Sequence, residues 1–182
     1  MYKRVDCMLL ICLFILSGCM NLAGYKDEDV AAIVRGEEIS VGYLRFLYPD
    51  DAIIEMIDGA VKAKLAEQEV KKMNIDISDK VKEVEESYGK YPQDELYSEG
   101  AQSIRAFADP QARKLGMDPK EYYEKYIETS AEMVVYVNAY ISEILDELED
   151  DEYGIEEYNH HANELLDDLA EQNKDAIEIR IK

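Results

Sequence analysis

Apolar positions along residues 30–78 change period several times, and each change predicts a new element. Ala31-Ala32-Ile33-Val34 reads as a strand, broken at Arg35-Gly36, with Glu37-Glu38-Ile39 as its return. Ser40 then caps a short helix carrying Tyr43, Leu44, Phe46 and Leu47, which must stop before Pro49. From Ala52 to Met73 the residues Ile54, Ile57, Val61 and Leu65 recur at steps of three and four, and most charges fall elsewhere, so a long amphipathic helix is predicted. Asn74 suits its left-handed stop, Ile75 is the hydrophobic follower, and Ser78 caps the next helix.

Between Tyr88 and Met117 the pattern is interrupted by Gly89, Pro92, Gly100, Pro110 and Gly116, which predicts several short helices. Asp118-Pro119-Lys120-Glu121 then opens the longest helix, expected to reach about Leu148. One of its faces, through Tyr123, Ile127, Ser130, Val134, Val137, Ile141, Ile144 and Leu148, is a packing seam. A second stripe, Tyr122, Tyr126, Thr129, Met133, Tyr136 and Tyr140, lies about 90° around the helix. After the acidic joint Glu149-Asp150-Asp151-Glu152, Ile155, Tyr158, Ala162, Leu165 and Leu169 mark another amphipathic helix. Ile177, Ile179 and Ile181 alternate strictly with charged residues, as in a strand with one buried face. The strand-like segment around Ile33 is its obvious partner, so the two ends of the domain are expected to meet. No internal repeat is present.

The first residues have a different design. Lys3 and Arg4 precede the apolar run Cys7 to Leu16, and Ser17-Gly18-Cys19 follows. A basic start, an apolar middle too short to span ~30 Å of hydrocarbon, and a small-residue site predict a cleaved export signal. The ending Leu16-Ser17-Gly18-Cys19 resembles the lipobox of bacterial lipoproteins, which implies cleavage before Cys19 and a diacylglycerol on its sulfur. Two acyl chains give stable membrane attachment where one gives only marginal binding. Residues 1–18 are then a lipoprotein signal peptide, 19–29 a polar spacer, and 30–182 one domain. Cys7 and Cys12 would leave with the signal, so cysteine serves anchoring alone.

Charge narrows the partners. The formal net charge is −21, and losing Lys3, Arg4 and Asp6, together +1, would make it −22. Such a surface repels nucleic acid and anionic head groups and favours basic partners. No Gly-x-Ser-x-Gly, phosphate-binding Gly loop or His-Glu-x-x-His is present. The acidic run from Asp146 lacks the alternating oxygen ligands and central Gly of a calcium loop, and reads as a solvated linker. His160 and His161 read as one partly packed and one exposed helix residue. No metal or cofactor is expected.

The order of elements is similar to a known family. Val30 to Ser40 resembles the opening of SurA-like and PrsA-like foldases: a strand, an Asn-Gly-like turn in which Arg35 replaces the usual Asn, an Ile and a Ser/Thr cap. Glu67 to Asp79 resembles the family's second helix and its exit, and Ala162 to Ile181 its closing helix and strand. Members with prolyl isomerase activity carry a parvulin domain between the long helix and the closing helix. Here only the acidic joint stands there, too short for a folded domain. The resemblance therefore implies a mainly α, helical SurA N-terminal-like chaperone domain with a small pairing of N- and C-terminal strands, and no isomerase.

The functional expectation is a non-enzymatic chaperone-like lipoprotein. It would be anchored at the extracytoplasmic face of the cell membrane and bind unfolded or partly folded exported proteins. A scaffold lipoprotein that holds one envelope protein is the alternative. Candidate client-binding residues are Tyr122, Tyr126, Met133, Tyr136 and Tyr140, because Tyr offers a rigid amphipathic surface and Met an adaptable one. The same composition also suits the rim of a helical core.

Overall fold

The computed structural model describes residues 22–93, 95–145 and 152–182, without the side chains of residues 23, 152 and 153. Cys19, its cleavage site and residues 146–151 of the acidic segment lie outside the described residues. The chain is mainly helical, with a small three-stranded antiparallel sheet. Strands β1 (Val30–Val34) and β2 (Glu37–Ser40) form a hairpin, and helix α1 (Val41–Leu47) follows at once. Helices α2 (Ile53–Met73), α3 (Ser78–Tyr88), α4 (Glu99–Leu115), α5 (Pro119–Ile144) and α6 (Glu152–Gln172) lead to strand β3 (Ile177–Ile179). The strand order is β2-β1-β3, so the last strand pairs with the first as expected, Val34 opposite Ile177 and Ala32 opposite Ile179.

Several starts and stops follow local chemistry. Ser40 Oγ accepts the Tyr43 N–H at 3.0 Å, and Tyr48 turns extended ahead of Pro49. Asp118 Oδ1 accepts the amides of Lys120 and Glu121 at 3.0 and 3.1 Å, with Pro119 in the first turn. Asn74 stops α2 at φ 58°, and the Ile75 amide reaches back to the Val70 carbonyl at 3.3 Å. Helix α3 differs: Ser78 is its first helical residue, and Asp76 Oδ1 accepts the Ser78 amide at 2.9 Å.

Tertiary packing overrides the sequence reading at four places. The segment expected to hold several short helices contains one of 17 residues, α4, with Pro110 inside it. Pro110 and Ala106, whose carbonyl loses its helical donor, are both exposed, so water can satisfy that oxygen while Ala108 and Ala112 pack inward. The polar stretch read as a spacer is instead part of the fold from Leu22 onward. Leu22 is 2% exposed, and Arg45 gathers the carbonyls of Leu22 and Tyr25, each at 3.0 Å, and the Asp27 carboxylate at 2.6 Å. Ile179 is 44% exposed because β3 is an outer strand, whereas Ile181, beyond the strand, is buried. His160 and His161 are both exposed, and so are Ile144 and Ile155.

Two apolar clusters result. The larger joins the sheet, α1, α2, the C-terminal half of α5 and α6 through Val34, Leu44, Leu65 and Leu169. The smaller is aromatic and lies between α4 and the start of α5, around Ala108, Ala112, Tyr122, Tyr123 and Ile127. Helix α5 passes through both, which widens its buried arc beyond the predicted seam to include Tyr122, Ala131, Val135 and Tyr140.

The hairpin turn explains Arg35. Arg35 and Gly36 both have positive φ, 50° and 86°, the conformation of a two-residue turn that favours Asn-Gly. Arg35 tolerates this strain because its side chain ties the hairpin to α2 and to the residue after α6, beside one backbone bond. Nε donates to Asn173 Oδ1 at 2.8 Å, a guanidinium N–H donates to Glu69 at 2.6 Å, and the backbone N–H donates to the Ala176 carbonyl at 2.8 Å. Arg35→Asn, although better suited to the turn, is expected to cost about 1–3 kcal/mol in urea unfolding, since it removes the shorter of the two ion pairs of Glu69 and leaves only Lys72 at 3.4 Å. The Arg35 bond, the largest influence, holds the Glu69 carboxyl below its ordinary 4.5. A depressed folded pKa stabilises above the unfolded value, and that gain is lost as pH falls through the folded one. Stability of the parent should therefore decline more steeply below about pH 4.5 than that of the variant. A more stable Arg35→Asn protein would show that the clamp contributes less than the turn strain.

Candidate functional site

Where the free side of β2 meets α2 and α5, the chain leaves a cleft of about 500 Å³. Its floor is Ala60 and Ala63, one turn apart on α2, whose small side chains leave the space open. Thr129, Met133 and Tyr136 form one wall at steps of four and three along α5. The opposite wall is Tyr43 of α1 with Glu38, Ile39 and Ser40 of β2. Ser40 caps α1, and that cap fixes the direction in which Tyr43 leaves the helix.

Charge surrounds this apolar interior. Lys64 bridges Glu37 at 2.8 Å and Glu67 at 3.0 Å, and Glu67 also meets Lys71 at 2.5 Å. Burial works against the Lys64 charge, but its bonds to Glu37 and Glu67 outweigh that and hold its pKa above 10.5. The same contact with Lys64 lowers the Glu37 carboxyl. Lys64 thus stays protonated, with no lone pair to attack a substrate or take a proton. Lys71 Nζ lies 5.3 Å from the centroid of the Tyr136 ring, a cation–π contact that steadies this wall. Tyr43 is 38% exposed, yet burial, helped by Tyr48 and Glu67, pushes its hydroxyl up to about 12. Glu38 and Glu132, also at the cleft, join no ion pair among the described residues.

The predicted stripe is divided by the fold. Met133 and Tyr136 line the cleft. Tyr126 is half-buried in the aromatic cluster, its ring 4.6 Å from Phe107. Tyr122 is fully buried there, donates its hydroxyl to the Phe46 carbonyl at 2.9 Å, and has its pKa raised to about 12 by burial. Tyr140 is 8% exposed and packs in the larger cluster. Tyr122 and Tyr140 are therefore core residues and present no surface to a client. The reason is that α4 covers one end of the stripe, and α2 with the sheet covers the other. The pairing of Ala60 and Ala63 with Tyr43 across the cleft carried no sequence signal, because it depends on how α1, α2 and α5 cross.

Among the described residues no cluster of three or more His, Cys, Asp or Glu is placed to hold a metal ion, and no helix is long and apolar enough to cross a membrane. No family model matches the chain, and neither a curated protein nor a solved structure matches it.

Proposed function

We propose that the protein is a chaperone-like lipoprotein that holds unfolded or partly folded exported chains at the extracytoplasmic face of the cell membrane without catalysing their isomerisation. The observation that carries this reading is the open cleft beside β2, with adaptable Met133 and rigid Tyr43 and Tyr136 around a floor of two alanines. Such a wall suits varied apolar side chains. The surrounding acidic surface keeps it soluble. The order of strand, capped helix, long helices and closing strand supports a SurA-like domain. Only residues 145–151 separate α5 from α6, where catalytic relatives of that family would carry their parvulin domain. A lipid on Cys19 would stand three residues before buried Leu22, a reach of at most ~11 Å, and would hold the fold close to the bilayer.

The test combines anchoring and holding. A fatty-acid probe should label the parent in cells and not Cys19→Ser. The purified soluble domain should slow aggregation of several unrelated denatured proteins, and the double variant Met133→Gln, Tyr136→Gln should lose at least threefold of that effect. Its melting temperature should stay within about 5 °C of the parent, because both side chains are only half-buried. A parent that leaves aggregation unchanged would sink the holding function.

A second reading, a scaffold for one folded envelope protein, draws on a different surface. Leu96 and Tyr97 are 51% and 75% exposed between α3 and α4. Arg105 takes the carbonyls of Gln93 and Leu96, and Gln102 takes that of Tyr97 at 3.0 Å. Apolar side chains held outward on a fixed backbone suit one matching pocket. Capture of a single dominant partner, lost on Tyr97→Ala, would favour the scaffold.

A further inference from the structure

We propose that the outer edge of β2 and the adjacent cleft form one site for an extended peptide segment. The segment adds as a fourth strand, places a large apolar side chain in the cleft, and sets a Lys or Arg two residues along against Glu132. This deepens the chaperone reading and rests on it.

Backbone geometry supplies the first half of the argument. The order β2-β1-β3 leaves one edge of β2 without a strand. The two-residue turn makes Val34 and Glu37 the pair that exchanges both hydrogen bonds, and alternation makes Ala32 and Ile39 the next. The N–H and C=O of Glu38 are thereby directed off the open edge. The register shift between Val30 and Ala32 and the start of α1 end the ladder, so the edge suits pairing over only about three residues. Glu38, Ile39 and Ser40 also line the cleft, so a strand laid along this edge runs beside its mouth. A side chain at alternate positions of that strand would enter above Ala60 and Ala63.

Charge selects the occupant. Glu37 and Glu67 are neutralised by Lys64 and Lys71, whereas Glu132 joins no ion pair among the described residues; Glu38 shares the opposite face of the sheet with Ile33 and Glu178, near Arg180. The mouth therefore keeps a formal excess of negative charge on a chain of net −21. An anionic ligand meets repulsion there, and a second copy of the chain brings the same charge to the contact. A basic residue two positions from an apolar one meets the Glu132 carboxylate and an apolar floor together.

The test uses the soluble domain and fluorescent peptides of the form Arg-Val-Phe-Val-Arg. Binding by anisotropy at about 20 mM salt should be at least tenfold tighter than for the Glu-flanked analogue, and the difference should shrink at about 500 mM. A scan of single N-methylated amides should weaken binding at alternate residues, since each removes a ladder donor. Ala63→Phe, which fills the floor, and Glu132→Lys on the exposed rim should each reduce binding about tenfold, the latter with an unchanged melting curve. Equal affinity for Arg- and Glu-flanked peptides, or full affinity for every N-methylated peptide, would overturn the proposal. Full suppression of client aggregation by Ala63→Phe would overturn this site while the chaperone reading stood. A parent inactive toward clients but still selective for the Arg-flanked peptide would leave the site standing and remove the chaperone reading.

Discussion

Tyr122→Ala is expected to lower the unfolding free energy by about 3–5 kcal/mol, the cost of emptying a fully buried aromatic position. Tyr122 touches the rings of Phe46, Phe107 and Tyr126, with centroids at 5.3, 6.1 and 5.9 Å, so its loss opens a cavity where α1, α4 and α5 meet. Its hydroxyl matters separately. Tyr122→Phe keeps the ring but leaves the Phe46 carbonyl without the donor it has at 2.9 Å, and should cost about 1–3 kcal/mol. Urea unfolding of the pair separates packing from hydrogen bonding. A Tyr122→Ala variant within 1 kcal/mol of the parent would mean that the aromatic cluster is loosely packed.

Removing residues 176–182 should have an effect of similar size, about 4 kcal/mol or more, from two losses acting together. Ile181 is 3% exposed and belongs to the larger core, so its removal uncovers apolar surface. The same deletion takes away the Ala176 carbonyl that accepts the Arg35 amide and the Arg180 amide that donates to the Ala31 carbonyl, each at 2.8 Å. It also bares the second edge of β1, whose Ala32 and Val34 are fully buried. Ile181→Ala isolates the packing part and should account for about half of the loss. A thermal melt of the truncated protein that overlays the parent would show that β3 contributes nothing to the fold.

Much of this architecture is legible in local sequence. Period and caps mark α2, the start of α5, the hairpin and the terminal pairing of β1 with β3, because each rests on a few neighbouring residues or on an alternation no helix would show. Asp118-Pro119, Ser40 and Asn74 act through hydrogen bonds within one turn, so their roles need no tertiary partner. The unusual turn residue is half legible. Positive φ at position 35 follows from the two-residue loop, but the reason Arg serves there lies in Glu69 and Asn173, far away in sequence.

The rest was decided by packing. The Tyr and Met stripe on α5 has one period and one composition throughout, yet α4 buries Tyr122, α2 and the sheet bury Tyr140, and the gap between them leaves Met133 and Tyr136 at a cleft. The continuity of α4 through Pro110 and the docking of Leu22 beneath Arg45 likewise depend on neighbours that approach only in the folded chain. Local sequence specifies which faces are apolar, since periodicity is a property of one element. Which of those faces is covered, and by what, is a property of how elements cross, and for this protein that crossing alone creates the candidate site.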